Sequence, residues 1–265
     1  MNILIFSDEQ QLTEAAVQLI LQAYERKPNL VLGLAAGRTP RRLYSDLVRA
    51  YQEKKIDFSL VRVFALDEFR GLSPNHPLSF AYYFKENLFN HINLRPENIF
   101  LLNGQTEKID DHCRFYESMI LQTGGIDIQI LGIGLNGHIG FNEPGSSFGS
   151  RTRLQILTPE TRANQQALFQ AQGEDPPTMA LTMGLATILE ARNIILLATG
   201  EDKAAIISQA LEGPITISLP ASCLQLHPSV FVFLDELAAS QLKRKAFYLY
   251  CQEINKREKL PIVIL

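Results

Sequence analysis

Between Gly132 and Gly145 the chain reads Gly-Ile-Gly-Leu-Asn-Gly-His-Ile-Gly-Phe-Asn-Glu-Pro-Gly, bringing an amide (Asn136), an imidazole (His138) and a carboxylate (Glu143) within eight residues. An imidazole beside a carboxylate is suited to moving protons at neutral pH. The intervening glycines let backbone turn sharply and approach a ligand closely. The apolar run 60–66 ends in Asp67-Glu68. Successive strand residues face opposite ways, so one carboxylate can enter a crevice as a general base while the other points away. Capping of the next helix is the bland alternative for such a pair.

Two other junctions suit an anion. Leu30–Leu34 runs into Ala35-Ala36-Gly37-Arg38-Thr39-Pro40, where Thr39-Pro40 signals a helix start. Free N–H groups and the helix dipole there would cradle a phosphate, and Arg38 would add a planar cationic donor. Ala36, Gly37, Arg38 and Thr39 are the candidate contacts. The turn fits neither the P-loop nor the dinucleotide fingerprint, so neither ATP nor NAD is indicated. After the run 193–198, Thr199-Gly200-Glu-Asp-Lys203 opens another helix with a lysine in its first turn. A cation sits poorly at that end of a helix unless an anion joins it, which makes Lys203 the fifth candidate phosphate contact.

These groups need strand ends to hold them. Short apolar runs at 2–6, 29–34, 60–66, 98–102, 126–131, 193–198 and 229–234 alternate with amphipathic stretches at 9–25, 40–54, 79–90, 108–122, 179–189, 202–212 and 236–251. That alternation predicts an α/β chain: an open, mainly parallel, Rossmann-like sheet with helices on both faces. Such sheets bind ligands beyond the carboxyl ends of their strands. Residues 140–160 break the rhythm as an irregular polar excursion. Residues 163–178 read equally as a surface loop or as a lid over a site. No repeat or linker divides the 265 residues, so one domain spanning 1–265 is expected, with its possible lid at about 160–180.

Composition narrows the classes. Hydrophobic residues make up 46% and charged residues 20%, with a net charge of −3 and no basic patch, so nucleic acid is excluded as a partner. Cys113, Cys223 and Cys251 form no metal-type spacing and suit reduced cytoplasmic thiols. No apolar run is long enough to cross a bilayer. A cytoplasmic protein without a metal, acting on a small molecule, is the expectation.

Together, Leu32-Gly-Leu-Ala-Ala-Gly-Arg-Thr-Pro40, Phe64-Ala-Leu-Asp-Glu-Phe-Arg-Gly-Leu72, His76-Pro-Leu-Ser-Phe80, Gly134-Leu-Asn-Gly-His-Ile-Gly-Phe-Asn-Glu-Pro144, Ser150-Arg-Thr-Arg153 and Ser222-Cys-Leu-Gln-Leu-His-Pro228 resemble glucosamine-6-phosphate deaminases. The likeness runs in order from about residue 2 to residue 250. The related 6-phosphogluconolactonases usually have Asp-Glu-Arg after the third strand, where this chain has Asp67-Glu-Phe69. The resemblance implies conversion of glucosamine 6-phosphate and water to fructose 6-phosphate and ammonia, with no cofactor and possible homo-oligomers. It implies that Asp67 takes the C2 proton and that His138 opens the sugar ring with Asn136 and Glu143. A relative with another amino-sugar phosphate, or a non-catalytic sugar-phosphate sensor, are the alternatives.

Three positions depart from the family pattern. Ala36 and Arg38 stand in a turn that usually reads Thr-Gly-Ser/Gly-Thr-Pro. Ala167 falls where a phosphate-binding arginine is common, and Gln155 replaces a basic residue that allosteric relatives use, although Ser146 and Arg153 remain.

Overall fold

The computed structural model describes residues 1–258. Seven strands form one sheet: β1 (Asn2–Phe6), β2 (Val31–Leu34), β3 (Arg62–Ala65), β5 (Ile99–Phe100), β6 (Ile128–Leu131), β9 (Asn193–Ala198) and β10 (Val230–Asp235). Their order is β1-β10-β9-β6-β2-β3-β5, and every pairing is parallel. Parallel neighbours need crossover connections, and the amphipathic helices supply them.

Both faces of the sheet are covered, so its strands are near-continuous apolar runs. Leu32, Leu34, Val63, Ile128, Ile130, Ile195 and Phe231 pack against Leu12, Ala16, Ile20, Leu43 and Leu47. The latter belong to α1 (Glu9–Arg26) and α2 (Arg38–Gln52). Val31, Phe64, Leu131, Ile194 and Leu196 face the other way, toward Tyr116, Ile120, Ile207 and Ala210. These come from α4 (Ile109–Gln122) and α7 (Ala204–Glu212). At the β1 edge, Gln252 of α8 (Lys245–Arg257) accepts from the Ile5 N–H at 2.9 Å and donates to the Ile5 carbonyl at 3.1 Å. One amide thus occupies groups that an edge strand otherwise leaves open.

A smaller antiparallel sheet, in the order β4-β8-β7, joins β4 (Asp67–Phe69), β8 (Met179–Thr182) and β7 (Arg153–Ile156). It sits directly after β3, so Asp67 is paired with Thr182 and Glu68 with Leu181. The chain leaves β2 for β3 and β5, then returns to place β6 on the other side of β2. Connections diverge at that pair, and a crevice opens beyond their carboxyl ends.

The open parallel sheet and its helices are as expected. The smaller sheet was not foreseen. The expected helix 179–189 is instead strand β8 followed by the short α6 (Leu185–Leu189). Ala180 and Leu181 are wholly buried between β4 and β7, and this pairing outweighs the helical pattern. The polar segment 163–178 is also more regular than expected, because α5 covers Pro159–Gln170. Its start signal is Thr158, whose hydroxyl accepts the Thr161 N–H, followed by proline at the first helical position. The last helix begins at Lys245 rather than 236. Asp235 accepts the Ala238 N–H at 2.7 Å, holding the intervening residues in turns. Among the described residues, no helix is long and apolar enough to cross a membrane.

Candidate active site

The strand ends open into a cleft of about 720 Å³, a volume usual for a small-molecule site. Its walls come from the turn after β2, from Leu66 and Asp67, from the loop after β6, from the turn after β9, and from α5. The last wall is α3 (Phe80–Asn87), preceded by its N-cap Ser79. A smaller groove between α1 and α2 is lined by Glu14, Asp46, Arg49, Glu53 and Lys55. Arg49 is already paired with Glu14 and Asp46, so that groove presents no comparable chemistry.

Asn136, His138 and Glu143 meet at one end of the cleft. Glu143 is 2% exposed and accepts the Thr158 N–H at 3.0 Å and the Asn136 side-chain amide at 2.8 Å. His138 Nδ1 lies 3.5 Å from the same Glu143 oxygen and 3.4 Å from the Thr161 hydroxyl. With Nδ1 turned to the carboxylate, Nε2 remains for a ligand in the cleft. The loop reaches this shape because Gly134 lets the imidazole lie against its own backbone: a Cβ there would come within 2.2 Å of the ring. Gly137 has φ +82°, and a Cβ on it would strike Leu219 at 2.0 Å. Burial alone would raise the Glu143 pKa, but bonds from His138, Thr161, the Thr158 N–H and Asn136 outweigh it and hold the carboxyl down at about 2.

The Asp67-Glu68 pair divides as strand alternation requires. Asp67 faces the cleft. Glu68, 3% exposed, accepts the N–H groups of Phe69 and Phe80 at 2.8 and 3.0 Å and of Ala81 at 2.9 Å. It thereby pins the start of α3. Burial pushes its carboxyl up to about 7 against those three bonds. The capping alternative raised for the pair is therefore realised by Glu68, while Asp67 is left for the cleft.

At the other end, Ala36, Gly37, Arg38 and Thr39 line the cleft together with Lys203. Gly37 caps α2 with φ 145° and no side-chain bond, leaving the first N–H groups of the helix open to an anion. The Thr39 and Thr199 hydroxyls lie 2.9 Å apart and join the two turns. Arg38 donates a long 3.4 Å bond to the Thr199 carbonyl and has no ion pair among the described residues. Burial lowers the Lys203 pKa; Asp202, 3.9 Å away, opposes this and the Arg38 charge adds to it. Two cations thus adjoin one cavity with little to neutralise them.

Several supporting residues were not foreseen. Tyr44 and Tyr83 donate at 2.7 Å to the carbonyls of Ala35 and Gly37, holding acceptors that would otherwise repel an anion. Asp235 accepts the Gly200 N–H at 2.9 Å and fixes the second turn. Thr158 and Thr161 reach the site through α5, whose start Thr158-Pro159 signals. Ser146, Arg153 and Gln155 come together away from the cleft. The Arg153 guanidinium is filled by the Asn142, Ser146 and Gln155 oxygens at 2.8, 3.0 and 2.9 Å. Among the described residues no cluster of three or more His, Cys, Asp or Glu could hold a metal.

The depressed Glu143 pKa links the site to stability. A carboxyl held near 2 against its ordinary 4.5 contributes fully above pH 4.5 and loses its contribution as pH falls toward 2. Chemical unfolding between pH 2 and 6 should show about 3 kcal/mol of acid-labile stability that Glu143→Gln lacks. Parallel curves for the two proteins would mean that the bonds around Glu143 do not hold its charge.

Comparison with known proteins gives the family. The family model described as glucosamine-6-phosphate isomerases/6-phosphogluconolactonase matches residues 7–232. A Bacillus subtilis protein named glucosamine-6-phosphate deaminase 2 is 46% identical over 251 residues, covering 93% of this chain and 100% of its own. A glucosamine-6-phosphate deaminase of Cellvibrio japonicus is 44% identical, with 97% of both chains covered. A solved monomeric glucosamine-6-phosphate deaminase of the NagB superfamily superposes with a TM-score of 0.87 at 40% identity, covering 91% of this chain and 100% of its own. The 6-phosphogluconolactonase of Trypanosoma brucei shares the fold, with a TM-score of 0.69 at 23% identity over 91% of this chain and 98% of its own. By sequence and by fold, this chain is a member of the glucosamine-6-phosphate isomerase/6-phosphogluconolactonase family.

Proposed function

We propose that the protein is an enzyme that converts glucosamine 6-phosphate and water to fructose 6-phosphate and ammonia. The observation that carries this reading is one cleft with a buried carboxyl and an oriented imidazole–carboxylate pair at its proton-moving end, and two poorly neutralised cations at a helix start. Relatives named for this activity, 43–46% identical over most of the chain, support it.

The phosphate binds at the start of α2, to the open N–H groups after Gly37 and to Arg38, Thr39 and Lys203, with Ala36 against it. Held there, the sugar reaches toward Asp67 and His138. His138 Nε2 exchanges a proton with the ring oxygen and opens the pyranose, while Glu143 keeps the imidazole in its tautomer and Asn136 holds Glu143 in place. Asp67 then takes the C2 proton of the open chain. The enolamine that results is protonated to an imine, which water hydrolyses to the ketose and ammonia. The α5 helix and the turn after it are the candidate lid; Gln165, Leu168 and Phe169 of that helix line the cleft, and closing over it would keep water from the enolamine. All three cysteines are free thiols, which suits a cytoplasmic location. Self-association finds no support in the similar deaminase described as monomeric.

Ammonia release from glucosamine 6-phosphate, measured beside galactosamine and mannosamine 6-phosphates, tests the reading. Turnover of the glucosamine ester is expected to dominate. Binding without turnover would indicate a sensor. Asp67→Asn should lower solvent-deuterium exchange at C2 by about 10²–10⁴ at saturating substrate. Near-wild-type exchange would place the base elsewhere.

Arg38 takes the role of the arginine absent at Ala167, which lies on the exposed side of α5 and outside the cleft lining. Arg38→Gly should raise KM for the phosphorylated sugar by the equivalent of about 1.5–3 kcal/mol with kcat little changed. An unchanged KM would remove Arg38 from the phosphate site.

A further inference from the structure

Asp67 is an anomaly among the buried acids. Its side chain is 6% exposed, faces the cleft, and has no hydrogen-bond donor or cation as partner among the described residues. Buried carboxylates normally recover lost hydration through such partners. Glu68, on the same strand, has three N–H donors. Glu143, across the site, has Thr158, Asn136 and His138.

The groups packed around Asp67 have donors, but those donors are spent elsewhere. From α2, the Tyr44 hydroxyl donates to the Ala35 carbonyl. From α4, the Tyr116 hydroxyl donates to the Ala65 carbonyl. His138, which also lines the cleft, turns Nδ1 to Glu143. The walls nearby are Leu66, Phe69 and Phe141, at 2%, 1% and 5% exposure. Burial, then the neighbouring Glu68, pushes the Asp67 carboxyl well above the ordinary carboxylate range.

We infer that Asp67 rests as the neutral acid and that the substrate's own C2 ammonium, arriving as the missing cation, converts it to the carboxylate base. The inference rests on the proposed activity and adds its switch. On binding, the Asp67 O–H bond breaks, the proton leaves to solvent, and the carboxylate gains an ion pair with the ammonium. That carboxylate then takes the C2 proton, the C2–H electron pair becomes the C1–C2 π bond, and the C1=O π pair moves to O1, which takes a proton through His138; loss of one ammonium proton gives the enolamine. C2 is oxidised as C1 is reduced, so no external oxidant or reductant is needed. A sugar phosphate with a hydroxyl or an N-acyl group at C2 brings no charge and leaves the base protonated. Selection for a free amine therefore acts on the chemical step as well as on binding.

Titration calorimetry of the whole protein in buffers of different ionisation enthalpy counts the protons released. The probes are two open-chain ligands that differ only at C2, 2-amino-2-deoxyglucitol 6-phosphate and glucitol 6-phosphate. At pH 6.5 the amine is fully protonated, and any change at the phosphate is common to both. The amino ligand should release about one proton more than the hydroxyl ligand, and Asp67→Asn should erase the difference. Should that variant fail to fold, the two ligands on the wild-type protein decide the question alone. Equal proton counts with measurable binding would overturn the switch and leave the proposed activity standing. Failure of both ligands to bind would overturn the site assignment and the switch with it.

Discussion

Glu143 is the carboxylate on which the imidazole side of the cleft depends. Its oxygens receive the Asn136 amide, face the His138 imidazole, and accept the Thr158 N–H at the start of α5. One buried charge therefore closes the glycine-rich loop, selects the imidazole tautomer and anchors the helix that forms a wall of the cleft. A carboxylate at a helix start is favoured by the dipole as well as by the N–H it accepts. Its position is shared with fold stability, so the chemistry and the packing of α5 cannot be varied independently.

The remaining charges are arranged in the opposite manner. Among the described residues, Asp67 is buried without a donor or cation as partner, and Arg38 and Lys203 lie side by side with only Asp202 close to either as an acid. Each arrangement costs stability by itself, and each is relieved by a ligand of matching charge. A molecule with an anion at one end and a cation near the middle satisfies both. Strain of this kind, concentrated at one place in a well-packed α/β frame, distinguishes a site from the scaffold that holds it. The scaffold contributes the divergence between β2 and β6, together with carbonyls and turns held by Tyr44, Tyr83 and Asp235.

Much of this was legible in the sequence because it depends on local patterns. Strand ends followed by Gly37, Asp67, Gly132 and Gly200 place groups at one edge of a parallel sheet, whatever the details of packing. The division of labour between Asp67 and Glu68 follows from strand alternation, although which residue faces the cleft does not. The small sheet was hidden because Met179–Thr182 is stabilised by long-range pairing with β4 and β7, which a local helical pattern cannot reveal. The regularity of α5 was masked by its polar surface, and Thr158-Pro159 was the overlooked signal. Tyr44 and Tyr83 could not have been singled out, since an aromatic on a helix most often serves the core and their hydroxyl targets lie in a turn brought near only by folding. Gln155 shows the reverse: the substitution was visible, but its bond to Arg153 needed coordinates.

The central claim is that a single ligand spans the two electrostatic ends of the cleft. A crystal structure with 2-amino-2-deoxyglucitol 6-phosphate tests it most directly. The expected result has the phosphate within hydrogen-bond reach of Arg38, Lys203 and the N–H groups after Gly37, with the C2 ammonium against Asp67. A phosphate bound away from that turn, or an amine turned from Asp67 with the phosphate in place, would contradict it.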